Sequence, residues 1–469
     1  MIIHNRTKIV CTIGPASGDK KTLRKMVEAG MDVARLNFSH GSYEDFSGII
    51  KNLKEVSGEL DLPVCILQDL QGPKIRLGIL PDNGITLKKG DRIILSTKLQ
   101  KATNKILPVM YKHLPKDVKT GDTILMKDGM IELKVIKSGK TDIQCKVESD
   151  GTITSHSGIN VPTATIRAAV ITAKDKRDLE FGLKNNVDYV ALSFVKNAQD
   201  IKDLRKLIIA KKSHAKIVAK IERHEAVKNL EEIINETDAV MVARGDLGTE
   251  IYPHMVPIIQ KRIIHEANLH GKPVITATEM LQSMVTNPRA TRAEVSDAAN
   301  AIFDHSDALM LSNETAVGKY PVEAVRTLNN VACAVEKELQ KHEKFLPNKL
   351  TEDPLPASYA ICSNAARLSK NIGAKLIVAI TSSGFTAEHI SKHRIYIPII
   401  AITHDPLVER QLQLVWGVRK TFVTKGKVII KNQQIKQMLL KSRLAKKGDK
   451  IVIVKNASKV DKTISIIVI

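Results

Sequence analysis

Three observations predict a (β/α)8 TIM barrel with an inserted small β-barrel lid domain and a C-terminal α/β domain. Eight short apolar runs alternate with stretches of helical periodicity. One interval between them, 79–156, changes to short strands and turn pairs. After 346 a second, shorter series of strands and helices begins. The eight runs are KIVCTIG (8–14), VARLNF (33–38), VCILQD (64–69), VALSFV (190–195), IVAKIE (217–222), AVMVAR (239–244), VITATE (274–279) and ALMLSN (308–313). Amphipathic stretches such as TLRKMVEAG and AQDIKDLRKLIIA separate most of them. Such alternation imposes right-handed parallel crossovers, and eight strands is the number that closes a barrel.

The long interval reads ITLKKGDRIIL, GDTILMKDGMIELKVI and DIQCKVES, with Lys-Gly, Gly-Asp and Asp-Gly pairs marking its turns. A long helix is expected from Tyr320 to Lys344, then a linker, NKLTEDPLP (348–356). The strands KLIVAIT, IPIIAIT and KIVIVK follow. The expected division is 1–78 with 157–345 for the barrel, 79–156 for the lid and 346–469 for the last unit.

A chain of 469 residues is too long for one core, and 43% hydrophobic with 26% charged residues is a soluble globular composition. Aromatics are only 3%, so the cores must be built from Ile, Leu, Val and Ala. The first residues lack a secretory pattern, and no apolar run is long enough to span a bilayer. Cysteines 11, 65, 145, 333 and 362 are scattered without a CxxC pair. That fits a reducing cytoplasm and argues against a disulfide framework or structural zinc. The net charge of +22 asks for a nucleic-acid reading. However, 14 Lys/Arg against 2 Asp/Glu fall in the last 51 residues, alternating with Ile and Val. That pattern reads as solvated faces, and no aromatic stacking series accompanies it.

In such a barrel the site lies at the C-terminal ends of the strands. Arg35, Asn37 and Ser39 end the second strand; Asp69, Lys74 and Arg76 follow the third. Ser193 ends the fourth, and Lys220 and Glu222 stand on the fifth. Arg244 and Asp246 follow the sixth, Thr276, Thr278 and Glu279 the seventh, and Ser312 and Glu314 the eighth. Lys220 and Glu222 are two apart, so they point the same way. Alone they fit a structural ion pair as well as a site. Asp246 fits a helix cap, or joins Glu222 as a hard-cation site for Mg²⁺ or Mn²⁺. Arginine forks at Arg35 and Arg76 suit phosphate oxygens. Arginines, a lysine and a cation site at one mouth describe phosphoryl chemistry. No GxxxxGK[ST], GxGxxG or HExxH is present.

Six stretches resemble the signatures of the pyruvate kinase family: TKIVCTIGPAS (7–17), ARLNFSHG (34–41), AKIERHEAV (219–227), ARGDLGTEI (243–251), TATEMLQSM (276–284) and the long run 287–325. The resemblance covers nearly the whole chain. It implies a kinase taking phosphoenolpyruvate and ADP to pyruvate and ATP, with Mg²⁺ or Mn²⁺. It implies that Lys220 stabilises the transferring phosphoryl group and that Glu222 and Asp246 hold the metal. Backbone N–H groups at Gly245 and Asp246 would take the substrate carboxylate. Arg35 and Arg76 would clamp phosphate, and Thr278 would help protonate the enolpyruvate carbon. Pro15, His40 and Arg76 would face the nucleotide. Asp128, in MKDGMIEL, would belong to a lid that excludes water.

Many members of that family hold K⁺ through residues matching Asn37, Ser39, Asp69 and the Leu70 carbonyl. They carry glutamate where this chain has Lys74, and typically Thr and Lys at Leu70 and Gln71. The lysine type is similar to a K⁺-independent branch, in which the ammonium of Lys74 supplies the fixed charge. The loop Thr381, Ser382, Ser383, Gly384, Phe385, Thr386 matches the family's sugar-phosphate or nucleotide effector loop, although plain turn-and-cap chemistry also accounts for it. The stretch NASKVDKTIS (456–465) is short and Lys-rich where the family usually has Gly and Thr. The resemblance also implies a homotetramer, with no membrane and no specific nucleic-acid partner. A barrel lyase acting on a metal-bound enolate and an inactive basic scaffold are the other readings of these residues.

Overall fold

The computed structural model of the chain describes residues 5–103, 105–342, 356–426, 431–456 and 462–469. All eight apolar runs form parallel strands: Lys8–Thr12, Val33–Asn37, Cys65–Asp69, Tyr189–Leu192, Lys216–Ile221, Ala239–Ala243, Val274–Ala277 and Ala308–Leu311. They lie in chain order around a closed barrel, the eighth pairing back onto the first. Residues such as Val10, Leu67, Tyr189, Val218, Met241 and Ile275 fill the interior. The alternate residues pack against the outer helices. A strand buried on both faces shows an unbroken apolar run, which is why these were legible.

Several outer helices start on a capping box: Ser42 with Asp45, Thr172 with Asp175, Asn197 with Asp200, and Thr291 with Glu294. Each box satisfies two backbone N–H groups where the chain passes from loop to helix.

At the opposite end of the barrel four aspartates, none singled out from the sequence, brace the strand starts. Asp32, Asp188, Asp238 and Asp307 accept the backbone N–H of Ile9, Ile66, Ile217 and Val274 at 2.8, 2.8, 2.8 and 3.0 Å. Two of them also hold the C-terminal unit. Arg394 donates to both Asp307 oxygens at 3.0 and 2.8 Å, and Arg410 Nε donates to Asp188 Oδ1 at 2.8 Å. Burial pushes Asp188 up to about 6, against the pull of Arg410. Lys8, beside Asp32, donates to the Val418 carbonyl at 2.9 Å. Lys216, which opens the fifth strand, pairs with Glu388.

The inserted unit is one seven-stranded sheet, running Ile75–Arg76, Gly158–Asn160, Thr123–Met126, Ile131–Ser138, Asp142–Val147, Arg92–Ser96, Ile106–Pro108, with a ribbon of Ile85–Leu87 and Gly151–Ile153 beside it. Its two edges meet: Gly78 N–H donates to the Pro108 carbonyl at 2.8 Å and Met110 N–H to the Arg76 carbonyl at 3.0 Å. A Leu77–Val109 bridge marks the same seam. The sheet is therefore a small barrel around Leu77, Leu95, Leu107, Ile124, Leu133 and Ile143.

The C-terminal sheet runs Val418–Val423, Ile399–Thr403, Leu376–Ile380, Lys450–Asn456, Lys462–Val468, and only its last pair is antiparallel. The helix expected over 320–344 spans Pro321–Leu339 and ends in a 3-10 turn, Gln340–His342. Residues 348–355 of the expected linker and 457–461 of the Lys-rich stretch lie outside the described residues. No described helix is long and apolar enough to cross a membrane.

Replacing Arg394 with Met leaves Asp307 buried without its cation, and is expected to cost about 3–5 kcal/mol. A lowered denaturation midpoint checks this. The junction also sets an acid limit. His389 stacks on Phe385 at 3.8 Å, and burial beside Lys392 pushes it down from 6.5 to about 3. A histidine buried neutral contributes fully above its unfolded value, and that stability is lost as pH falls below 6.5. His389→Leu should flatten the loss of melting temperature between about pH 6.5 and 4.

Candidate active site

The C-terminal mouth of the barrel opens into a cleft of about 1180 Å³, with Pro15, Arg35, Asn37, His40, Lys74, Asp128, Lys220, Glu222, Asp246 and Thr278 on its walls. Ten residues singled out from the sequence, from Pro15 to Thr278 and including the lid residue Asp128, thus share one space.

Lys220 is the centre of charge. Its Nζ lies 2.8 Å from Glu222 Oε1, 3.3 Å from Asp69 Oδ1 and 2.7 Å from Ser193 Oγ. Burial alone would lower a lysine, but Asp69 and Glu222 hold Lys220 above the ordinary value, so it stays an ammonium. Asp69 is itself buried, and Lys220 and Arg35 outweigh that burial and hold its carboxyl below the usual range. Arg35 Nε donates to Asp69 Oδ2 at 2.7 Å and its Nη1 to Thr12 Oγ1 at 2.8 Å. The guanidinium is thereby fixed with part of its fork toward the cleft.

Glu222 and Asp246 suit a divalent cation. Glu222 Oε2 accepts the Phe194 N–H at 2.7 Å, while Oε1 is buried without an aligned hydrogen bond. Burial pushes Glu222 up, Lys220 pulls it down, and the Asp246 carboxylate pushes it up again. Two carboxylates that repel across a cleft are the donor set of a hard cation, and Lys220 Nζ, 2.8 Å from Glu222 Oε1, supplies part of that positive charge here. Asp246 stands in the helix Arg244–Glu250 without capping it through its side chain. Its Oδ1 meets the Lys74 ammonium at 3.1 Å.

Lys74 therefore lies against Asp246, across the mouth, rather than among the oxygens of Asn37, Ser39, Asp69 and Leu70. Three of those four residues have donors of their own on these oxygens. Asp69 serves Arg35 and Lys220, the Leu70 carbonyl accepts Ser193 Oγ–H at 2.8 Å, and Asn37 Oδ1 accepts the Ser39 N–H at 3.1 Å. The summed positive field is legible on His40. Burial lowers it first, then Arg76, Arg35 and Lys74. Arg76 itself is not on the cleft wall; its Nη1 donates to the His156 carbonyl at the base of the lid, 3.1 Å away.

Thr278 has φ +77°, a left-handed backbone rarely tolerated by a β-branched residue. Its carbonyl is gripped by Arg244 Nε at 3.1 Å, and Arg244 Nη1 pairs with Asp297 at 2.7 Å. A Cβ at Gly245 would stand 3.0 Å from Thr278 Cγ2, so the close approach needs glycine. Two strand-end residues turn out to brace the walls. Glu314 accepts the N–H groups of Ser312 and Leu281, and Thr276 Oγ1 bonds Ser306 Oγ. Lys127 and Asp128 also have positive φ, so the lid tip is a tight turn aimed at the cleft. Thr12 and the bond partners of Ser193 were not foreseen; the inward position of Thr12 on the first strand was the available signal.

At the far end of the chain Thr381 is buried and its Oγ1 accepts the Gly384 N–H at 3.0 Å. Ser382 and Ser383 are exposed, and Gly384 has φ +91°. Thr386 Oγ1 is buried without a hydrogen bond.

The family model for the pyruvate kinase barrel domain matches residues 4–325, and that for the pyruvate kinase alpha/beta domain matches 359–469. Pyruvate kinase 2 of Synechocystis sp. is 46% identical over 425 residues, which are 90% of this chain and 71% of that protein. A Staphylococcus aureus pyruvate kinase is 45% identical over 426 residues, 90% of this chain and 72% of its own. Among solved structures, a pyruvate kinase from Cryptosporidium parvum aligns with a TM-score of 0.91 at 36% identity, covering 99% of this chain and 96% of that one.

Glu222→Gln and Asp246→Asn are each expected to weaken Mn²⁺ binding at least about 10-fold, followed by the free-Mn²⁺ electron paramagnetic resonance signal. Asp128→Asn, at the lid tip, should leave that affinity unchanged.

Proposed function

This chain belongs to the pyruvate kinase family and is a phosphotransferase; from that premise we propose how its residues divide the work, and that it works without K⁺. The reaction moves the phosphoryl group of phosphoenolpyruvate to ADP, giving pyruvate and ATP, the last step of glycolysis. The O–P bond to the enol oxygen breaks, a bond to the ADP β-phosphate oxygen forms, and the enolate carbon gains a proton.

The observation that carries the assignment is the buried Lys220 ammonium at the cleft floor, held by Asp69, Glu222 and Ser193. A fixed positive charge in a site closed to water stabilises the charge spread over a phosphoryl group in transit. Arg35, anchored by Asp69 and Thr12, orients a phosphate oxygen. The N–H groups at Gly245 and Asp246 receive the substrate carboxylate, and the Thr278 hydroxyl directs a proton to the carbon. A divalent cation held by Glu222 and Asp246 would supply charge neutralisation between carboxylate and phosphate. Pro15, His40 and, once the lid moves, Arg76 serve the nucleotide, and Asp128 closes with the lid to exclude water.

K⁺ independence rests on two features. The oxygens of Asp69, Leu70 and Asn37 already receive donors from within the chain, and Lys74 adds a positive charge at the same mouth. The barrel is assigned to 1–78 with 157–345 and the effector-type unit to 346–469 as expected, except that the lid, expected over 79–156, also takes Ile75–Arg76 and Gly158–Asn160, which are strands of its sheet. Thr381, Ser382, Ser383, Gly384 and Thr386 form its effector loop, for a sugar-phosphate or nucleotide. A homotetramer is favoured by exposed apolar residues on the barrel, Tyr252 and Ile258, and on the sheet edge, Ile466 and Val468. Five scattered cysteines without a CxxC pair favour a cytoplasmic setting.

The test is pyruvate formation with Mg²⁺ in tetramethylammonium buffer. Turnover is expected to agree within about twofold with and without K⁺. Lys74→Glu should lose about 100-fold without K⁺ and recover with it. A requirement for K⁺ in the unmodified chain sinks the lysine argument and leaves the kinase standing.

A further inference from the structure

We propose that Ser193 is a positioning residue that fixes the Lys220 ammonium for phosphoryl transfer; this rests on the kinase reading above. Lys220 has three acceptors, and two of them are shared. Asp69 is also bound by Arg35, and Glu222 is also the residue assigned to the cation. Attraction between an ammonium and a carboxylate is weakly directional, and a lysine stem has four rotatable bonds, so carboxylates alone hold the charge without fixing its direction.

The Ser193 hydroxyl differs. It accepts Lys220 Nζ at 2.7 Å and donates to the Leu70 carbonyl at 2.8 Å. Ser193 is 2% exposed, so solvent does not compete. Its hydrogen has the Leu70 carbonyl at 2.8 Å as its near acceptor, with Asp69 Oδ1 at 3.4 Å the longer alternative, and either leaves a lone pair toward Lys220. The chain Lys220, Ser193, Leu70 thus ties the fifth strand to the turn after the third.

The surroundings are shaped around this contact. Phe194 has φ +58°, an unusual backbone for a bulky residue, and in that conformation its N–H reaches Glu222 Oε2 at 2.7 Å. Adjacent residues therefore hold both Lys220 and Glu222. Gly72 lies against them: a Cβ there would stand 2.9 Å from Phe194 Cδ2 and 3.1 Å from Ser193 Cβ, and its φ is +67°. Glycine is what lets the turn after the third strand come this close.

A hydroxyl that merely satisfied the Leu70 carbonyl would, on removal, lower stability and spare the chemistry. Positioning predicts otherwise. In Ser193→Ala, kcat is expected to fall about 10- to 100-fold while KM for phosphoenolpyruvate changes less than about threefold. Exchange of pyruvate methyl protons with solvent, the step assigned above to Thr278, should change less than about threefold. Ser193→Cys is nearly the same size with a weak sulfur acceptor. It should show the same loss, and it carries the test if the alanine variant does not fold. On a Lys220→Ala background, adding Ser193→Ala should cost no more than about a further twofold, because the residue acts through Lys220. Normal kcat in both variants, an equal loss of proton exchange, or a full additional loss on the Lys220→Ala background overturns the proposal. An unmodified chain that forms no pyruvate would overturn the kinase reading instead.

Discussion

An ammonium held at 8% exposure is the constraint around which the barrel mouth is arranged. Removing Lys220 from water is unfavourable unless counter-charges and hydrogen bonds replace the solvent. Asp69 and Glu222 provide the charge, and each then needs its own partners. Asp69 recruits Arg35, and Arg35 recruits Thr12. Glu222 recruits the Phe194 amide, which sets that residue's strained backbone. The network therefore spreads from one lysine over the first five strands. It leaves outward-facing only what a phosphorylated substrate would use.

The opposite end of the barrel carries a second layer of charge. Aspartates at the strand starts tie neighbouring strands together through backbone amides, and two of them continue into arginines of the C-terminal unit. Glu388, on the helix after the Thr381–Thr386 loop, meets Lys216 on the strand whose other end bears Lys220. The loop and Lys220 are thus joined by one short helix, one ion pair and one strand. A packed strand moves as a unit rather than bending, so this is a short mechanical path between two distant regions.

The eight barrel strands could be read from the sequence because both their faces are buried, which leaves uninterrupted apolar runs. Lys220 and Glu222 could be read as neighbours because a strand repeats every two residues. Contacts made across the fold left no such trace. Lys74 was expected to supply the fixed charge of a K⁺ site, and nothing in the sequence showed that its ammonium reaches Asp246, 172 positions along the chain. Arg76 looked like a cleft residue but is held by the lid base. Ser193 was visible as a strand end, while its link to Lys220 depends on the register of two strands and a turn. The aspartates of MDV, VDY, TDA and SDA recur before four strands. Their meaning appears only when the neighbouring amides are in place.

The ribbon that joins the lid to the barrel has an evolutionary reading. The chain leaves the barrel at Leu77 and Gly78 and returns at His156 and Ser157, and these two passages are hydrogen-bonded side by side. Entry and exit therefore occupy one narrow ribbon, whose Leu77, with Ile75 and Ile159 beside it, plugs into the lid's own core. A unit attached in this way is a cassette. Natural insertion, shortening or exchange of everything past that ribbon would leave the ends of the third and fourth barrel strands where they are. Lids could then diversify in length and composition while the chemistry beneath them stays fixed.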